Sequence, residues 1–229
     1  MMYNPNDVNS WGGFSPLIIA HDVGRSRDRS TAVVGGNAPY GRRLLGVAFA
    51  EELPQGLFGT TRANALALVD RRQQGNGLII ADLSNDPTYA EVLVQSFGRR
   101  VIGLHISRFG DGMECEIRAT THGALLVYKI GRTFLIELLH SELQSDQVRL
   151  SDDQNVRRAY EQLAKLEVEY REGGAVYSCP VGGHDDLGIS LAMLAWAAQH
   201  PHLKSWVSKM QSARRRRPAS SPFGWNAFT

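Results

Sequence analysis

Two apolar runs of this chain end in the same way: Leu17 to Ala20 leads into Asp22, and Leu78 to Ala81 leads into Asp82. A third acidic group, Gly183-His184-Asp185-Asp186, opens a late apolar segment. Carboxylate oxygens are hard ligands that suit Mg²⁺ or Mn²⁺. Two such ions about 4 Å apart can activate a water and stabilise the departing 3′ oxygen of a phosphodiester, so no protein nucleophile is required. Clustered carboxylates also raise one another's pKa, which makes a cation-free cluster unfavourable near neutral pH. Taken singly, strand-end and helix-start aspartates are common turn and cap residues. Their joint occurrence makes Asp22, Asp82, Asp185 and Asp186 the candidate metal ligands and catalytic acids. One of Asp185 and Asp186 can cap the following helix while the other faces the site, and Asp186 is the favoured ligand. His184 is a candidate for handling protons beside them, and Asp28 for approaching a second ion; the plainer reading of each is a turn residue.

These acids converge only if a sheet brings their strand ends together. Pro16 to Ala20, Thr31 to Gly35 and Leu44 to Glu51 read as three strands with short connections, an antiparallel meander. Ala63 to Arg72 reads as a helix stopped by Gly75-Asn76-Gly77 before the strand Leu78 to Ala81, an order that requires a crossover. Asp86-Pro87 is a helix start, with Tyr89, Leu93 and Phe97 following on one face, and Val101 to Ile106 is another strand. Met113, Cys115 and Ile117 alternate with charged residues and predict a half-exposed strand paired with Leu125 to Lys129, a peripheral hairpin insert. A packed helix is expected over Gly131 to Leu143, a short strand at Val148 to Leu150, a helix over Asp152 to Lys165, and a second hairpin from Leu166 to Cys179. The last helix carries a stripe of Leu187, Leu191, Leu194 and Ala198 and ends at His200-Pro201. The fold class expected is α/β: a mixed sheet with three antiparallel strands followed by parallel ones, flanked by helices on both faces.

Composition narrows the class further. With 229 residues and 43% hydrophobic content the chain can bury a core, expected over residues 16–203, with a flexible lead at 1–15 and a basic tail at 204–229 too polar to stay folded unaided. The net charge of +2 announces no polyanion partner, so DNA contacts must come from local patches. Candidates are Arg25, Arg27 and Arg29 in the turn after Asp22, Lys129 and Arg132 from the insert, and the run Arg214, Arg215, Arg216 and Arg217. Two cysteines with no C-x-x-C pair predict neither a disulfide framework nor a four-sulfur zinc site, and fit a reducing compartment. No run approaches membrane-spanning length.

On His21-Asp22-Val23-Gly24 with Ser30 to Val34 behind it, Ile79-Ile80-Ala81-Asp82, and Gly183 to Leu187 leading into Ser190-Leu191-Ala192, the sequence resembles the nuclease domain of viral terminase large subunits. These are RNase H-like nucleases that cut concatemeric DNA during capsid packaging. The resemblance covers residues 16 to 200 and implies metal ligation by Asp22, Asp82 and the Asp185-Asp186 pair. It also implies two Mg²⁺ or Mn²⁺ ions, double-stranded DNA as substrate, a portal or small terminase subunit as companion, and a place in the cytoplasm of an infected or prophage-carrying host. These 229 residues have no Gly-Lys dipeptide and hence no Walker A loop, so they are not the packaging motor: they are either a nuclease domain expressed alone or a protein that works beside a separate ATPase. Rival readings are a junction resolvase or transposase-like nuclease of the same fold, a fragment of an actin-like or sugar-kinase-type phosphotransferase, and a non-catalytic DNA-binding module.

Overall fold

The computed structural model describes residues 17–24, 29–38, 44–54, 58–72, 77–172 and 174–203. The expected lead and tail, and with them Arg25, Arg27, Asp28 and Arg214 to Arg217, lie outside the described residues.

The meander forms as expected. Strand β1 (Leu17–Asp22) pairs antiparallel with β2 (Thr31–Asn37), and β2 pairs antiparallel with β3 (Leu45–Glu52). Helix α1 (Gly59–Arg72) crosses over to β4 (Leu78–Asp82), which lies parallel to β1 on its other side. Helix α2 (Tyr89–Phe97) crosses to β5 (Val101–Ser107), parallel to β4. α2 begins three residues after the expected start at Asp86-Pro87, with Thr88 as its flanking residue, and Asp86 accepts the backbone N–H of Tyr89 at 3.2 Å from the turn before it.

The pair β6 (Asp111–Thr120) and β7 (Gly123–Gly131) corrects the expectation of a peripheral insert. β7 runs parallel to β5 inside the main sheet, and only β6 is an edge. The alternation on β6 also fails to bury its apolar set: on this edge strand Met113, Cys115 and Ile117 are exposed. Helix α3 (Arg132–Gln144) leads to β8 (Val148–Leu150), which pairs parallel with β3, and α4 (Gln154–Ala164) follows. The hairpin of β9 (Glu167–Arg171) and β10 (Gly174–Ser178) forms its own two-stranded sheet before α5 (Asp186–Gln199).

The main sheet has the order β6-β7-β5-β4-β1-β2-β3-β8, with a separate core on each face. Ile18, Ala20, Ile80 and Leu104 pack on one side with α3, α4 and α5, while Ile19, Ile79, Ala81 and Val127 pack on the other with residues of α1 and α2. Strands buried on both faces read as continuous apolar runs, which is what Leu17 to Ala20 and Leu78 to Ala81 are. α5 departs from its expected stripe: every residue from Leu187 to Ala198 is buried, because the helix is enclosed between the sheet and its neighbours α3 and α4. Gly188 permits the approach of α4, since a Cβ there would stand 2.9 Å from Leu163 and 3.3 Å from the Ala159 carbonyl.

Candidate active site

Sheet geometry places the first two acids. Side chains alternate along a strand, so Ala20 and Ile80 on the α5 face are followed, two residues on, by Asp22 and Asp82 on that same face. The β1–β4 register pairs His21 with Ala81, which sets Asp22 beside Asp82 at neighbouring strand ends. From this point the chain winds in opposite directions, to β2 and β3 on one side and to β5 and β7 on the other. Such a switch point, at the carboxyl ends of parallel strands, leaves a crevice where open α/β sheets bind ligands.

α5 brings the third acid. Its Ser190 Oγ accepts the Asp22 backbone N–H at 3.1 Å and shares a 2.8 Å hydrogen bond with Thr31 Oγ1, and Thr31 Oγ1 also donates to the Asp186 carbonyl at 3.1 Å. The first turn of α5 is thus fastened to the ends of β1 and β2. Burial pushes the Asp22 carboxyl well above the usual aspartate range, and the charges of Asp82 and Asp186 push it further, with Arg132 opposing them. Asp82 is raised chiefly by burial, against hydrogen bonds from Ser84: one Asp82 oxygen accepts both the backbone N–H (2.9 Å) and the hydroxyl of Ser84. Ser84 Oγ in turn accepts the Ile106 N–H at 2.6 Å, which ties the Asp82 turn to β5.

Asp185 and Asp186 play different parts. Asp185 occupies the helix-start position but does not cap: its carboxylate makes an ion pair with Arg132, and Gln162 satisfies the Gly188 N–H instead, at 3.0 Å. Asp186 supplies the charge that acts on Asp22. His184 is exposed, its Nδ1 4.0 Å from Asp186 Oδ2. His21, next to Asp22, points to the opposite face, where its Nδ1 donates to the Thr31 carbonyl at 2.9 Å and burial lowers its pKa to about 4. It is a neutral structural group.

A cleft of about 710 Å³ opens beside Asp82, walled by the turn after β5, the start of α3 and the β9–β10 hairpin. Arg108, Arg132 and Arg171 line it. Thr133 Oγ1 joins two of its walls by donating to the Ala175 carbonyl at 3.0 Å. Of the other basic candidates, Arg29 pairs with Glu52 in a smaller cleft that reaches Asp186, and Lys129 stands 3.8 Å from Glu114. Ser84, Arg108 and Arg171 are not marked by the sequence as site residues, and Ser190, part of the motif that follows Asp186, is given no role by it. An Asp-x-Ser turn at Asp82 and the one-turn spacing of Asp186 and Ser190 on a helix are the signals that carry the two serines. Among the described residues, no three His, Cys, Asp or Glu side chains form a ready-made metal cluster. What fits a divalent cation is the donor chemistry: hard carboxylate oxygens from three elements whose mutual repulsion a cation would relieve.

No protein-family model matches this chain, and no curated protein matches it. Solved structures do. The chain is similar to the large terminase nuclease from thermophilic phage G20c, at 20% identity and a TM-score of 0.52, over 79% of this chain and 81% of that one. It is similar to the human cytomegalovirus terminase nuclease domain, Mn-soaked and inhibitor-bound, at 12% identity and a TM-score of 0.53, over 88% and 91%. The large terminase nuclease domain from bacteriophage SPP1 with bound Mn matches at 12% identity and a TM-score of 0.50, over 82% and 89%. The fold is the RNase H-like mixed sheet. Specifically, it is the arrangement of large-terminase nuclease domains.

Proposed function

We propose that this protein is a divalent-metal-dependent DNA endonuclease of the large-terminase type, cutting duplex DNA during viral packaging. The observation that carries this reading is the Asp22 carboxyl. It sits at the switch point of a terminase-nuclease fold and is raised by Asp82 and Asp186, which come from other elements. Asp22, Asp82 and Asp186 would hold the ions, and manganese in two of the similar domains supports the choice of Mg²⁺ or Mn²⁺. When bound, a pair of such ions supplies an activated water and stabilises the leaving 3′ oxygen.

The protein's own groups do the positioning. Ser84 fixes one oxygen of Asp82, and Ser190 fixes the backbone at Asp22. Arg132, held by Asp185 and close enough to act on the Asp22 charge, would meet a phosphate of the substrate. The portal or small terminase subunit and the host cytoplasm follow from this packaging role; among the described residues, no helix is long and apolar enough to cross a membrane.

The test is cleavage of supercoiled plasmid with Mn²⁺, Mg²⁺, Ca²⁺ or chelator, alongside an ATP hydrolysis assay. Wild type should nick and linearise the plasmid with Mn²⁺ or Mg²⁺, while Asp82→Asn folds but does not cut. Equal cutting by the two proteins, purified in parallel, would overturn the assignment.

A further inference from the structure

We infer that the cleft beside Asp82 grips one separated DNA strand, holding phosphates with Arg108, Arg132 and Arg171 and stacking a base on Phe109. The inference rests on the nuclease reading and adds the form of nucleic acid that enters the site. Phe109 is 65% exposed, yet it is not on a slack loop. The Ser107 hydroxyl donates to the Phe109 carbonyl at 2.7 Å, and the next carbonyl, of Gly110, accepts the Gly131 N–H at 2.8 Å. Gly110 takes φ +124°, a conformation that suits glycine, so the turn holds its phenyl ring in water at the cleft wall. The Arg108 guanidinium lies 5.2 Å from the centre of that ring. Phe134, in the first turn of α3, is the other exposed phenyl on the cleft, although the apolar pattern of α3 predicts it inside.

Phosphate recognition alone needs only the arginines. Phenyl faces held out beside them match a base, because every base offers a π-face to an aromatic platform. In a duplex each base face is covered by its neighbours, so a base that stacks on Phe109 has left that stack.

The experiment measures fluorescence anisotropy of the full chain, in chelator, with labelled oligothymidine and with a blunt duplex of the same length. Wild type should prefer the single strand. Phe109→Ala should weaken oligothymidine binding about tenfold, the scale of one lost base stack, and leave duplex binding unchanged. Arg108→Ala should flatten the salt dependence of strand binding by roughly 0.7 in log–log slope, one phosphate's worth. Phe58→Ala, another exposed phenyl but outside the cleft, should change nothing. Wild-type affinity retained by Phe109→Ala, or a wild-type preference for duplex, would overturn the inference. Plasmid cleavage separates the two readings: strand binding that depends on Phe109 without any cleavage removes only the nuclease assignment, and cleavage with an indifferent Phe109 removes only the strand cleft.

Discussion

Ser190 Oγ accepts the backbone N–H of Asp22 at 3.1 Å, fastening the helix that carries Asp186 to the strand that carries Asp22. The two residues are 168 positions apart, and the serine is fully buried. Ser190→Ala leaves the Asp22 N–H and the Thr31 hydroxyl short of a partner, a loss of about 1–3 kcal/mol. It should lower the melting temperature by several degrees and reduce plasmid cleavage more than the stability loss explains, because the spacing of Asp22 and Asp186 relaxes. Calorimetry and initial cleavage rates on the same preparation check this. Wild-type rates would show that the bond is structural only.

Charge repulsion at Asp22 predicts a pH signature without metal. Burial, then Asp82, then Asp186 hold its carboxyl well above the usual aspartate range. The native state therefore binds this proton more tightly than the unfolded chain does. Its contribution to stability is full below the ordinary aspartate range and is lost as pH rises through the elevated native value. In chelator, Asp22→Asn should gain stability relative to wild type as pH climbs, read as the difference between their urea midpoints. Adding Mn²⁺ should restore wild type by mass action and do less for the variant. A midpoint difference independent of pH would count against the cluster.

Asp185 and Asp186 should separate cleanly. Asp186→Asn removes the charge that acts on Asp22 and should abolish detectable cleavage at any Mn²⁺ concentration. Asp185→Asn releases Arg132 from its ion pair, so it should raise KM for DNA, with kcat reduced less. Titrating plasmid and Mn²⁺ independently distinguishes the two. Identical loss in both variants would mean that the pair acts as one unit.

The sequence carries these acids better than it carries their surroundings. Asp22 and Asp82 end apolar runs buried on both faces, and a doubly buried strand declares itself by composition alone. Asp185-Asp186 opens a segment apolar enough to be a helix in any context. An alternating pattern at Met113 to Ile117 says that a strand exists, not which neighbour covers it; β7 joins the main sheet through a parallel pairing with β5 that no local signal encodes. The sequence of α5 marks one apolar stripe only, because small residues such as Ala192, Ala195 and Ala197 leave the other faces ambiguous until α3 and α4 enclose them. The Arg132–Asp185 pair spans 53 residues and depends on two loop geometries, so spacing could nominate its members but not join them.

The start of β4 is held by a clamp whose failure should destabilise the fold without touching the chemistry. Asp70, near the end of α1, is 3% exposed and accepts the Gly77 N–H at 2.9 Å. Arg100 donates to both Asp70 oxygens, at 3.1 and 2.8 Å, and to the Gly77 carbonyl at 2.8 Å. Removing the Asp70 carboxylate leaves the buried Gly77 N–H without its acceptor, while Arg100, whose side chain is 21% exposed, can turn toward water, a loss of about 1–3 kcal/mol. Asp70→Ala should therefore lower the unfolding free energy by that order, while Arg100→Lys, which keeps the charge but loses the two-pronged geometry, should cost less. Because the clamp lies at the end of β4 opposite Asp82, cleavage per folded molecule should stay at the wild-type level below the transition. Urea denaturation with cleavage assays at low temperature tests both halves, and a variant as stable as wild type would show that the clamp contributes nothing to the fold.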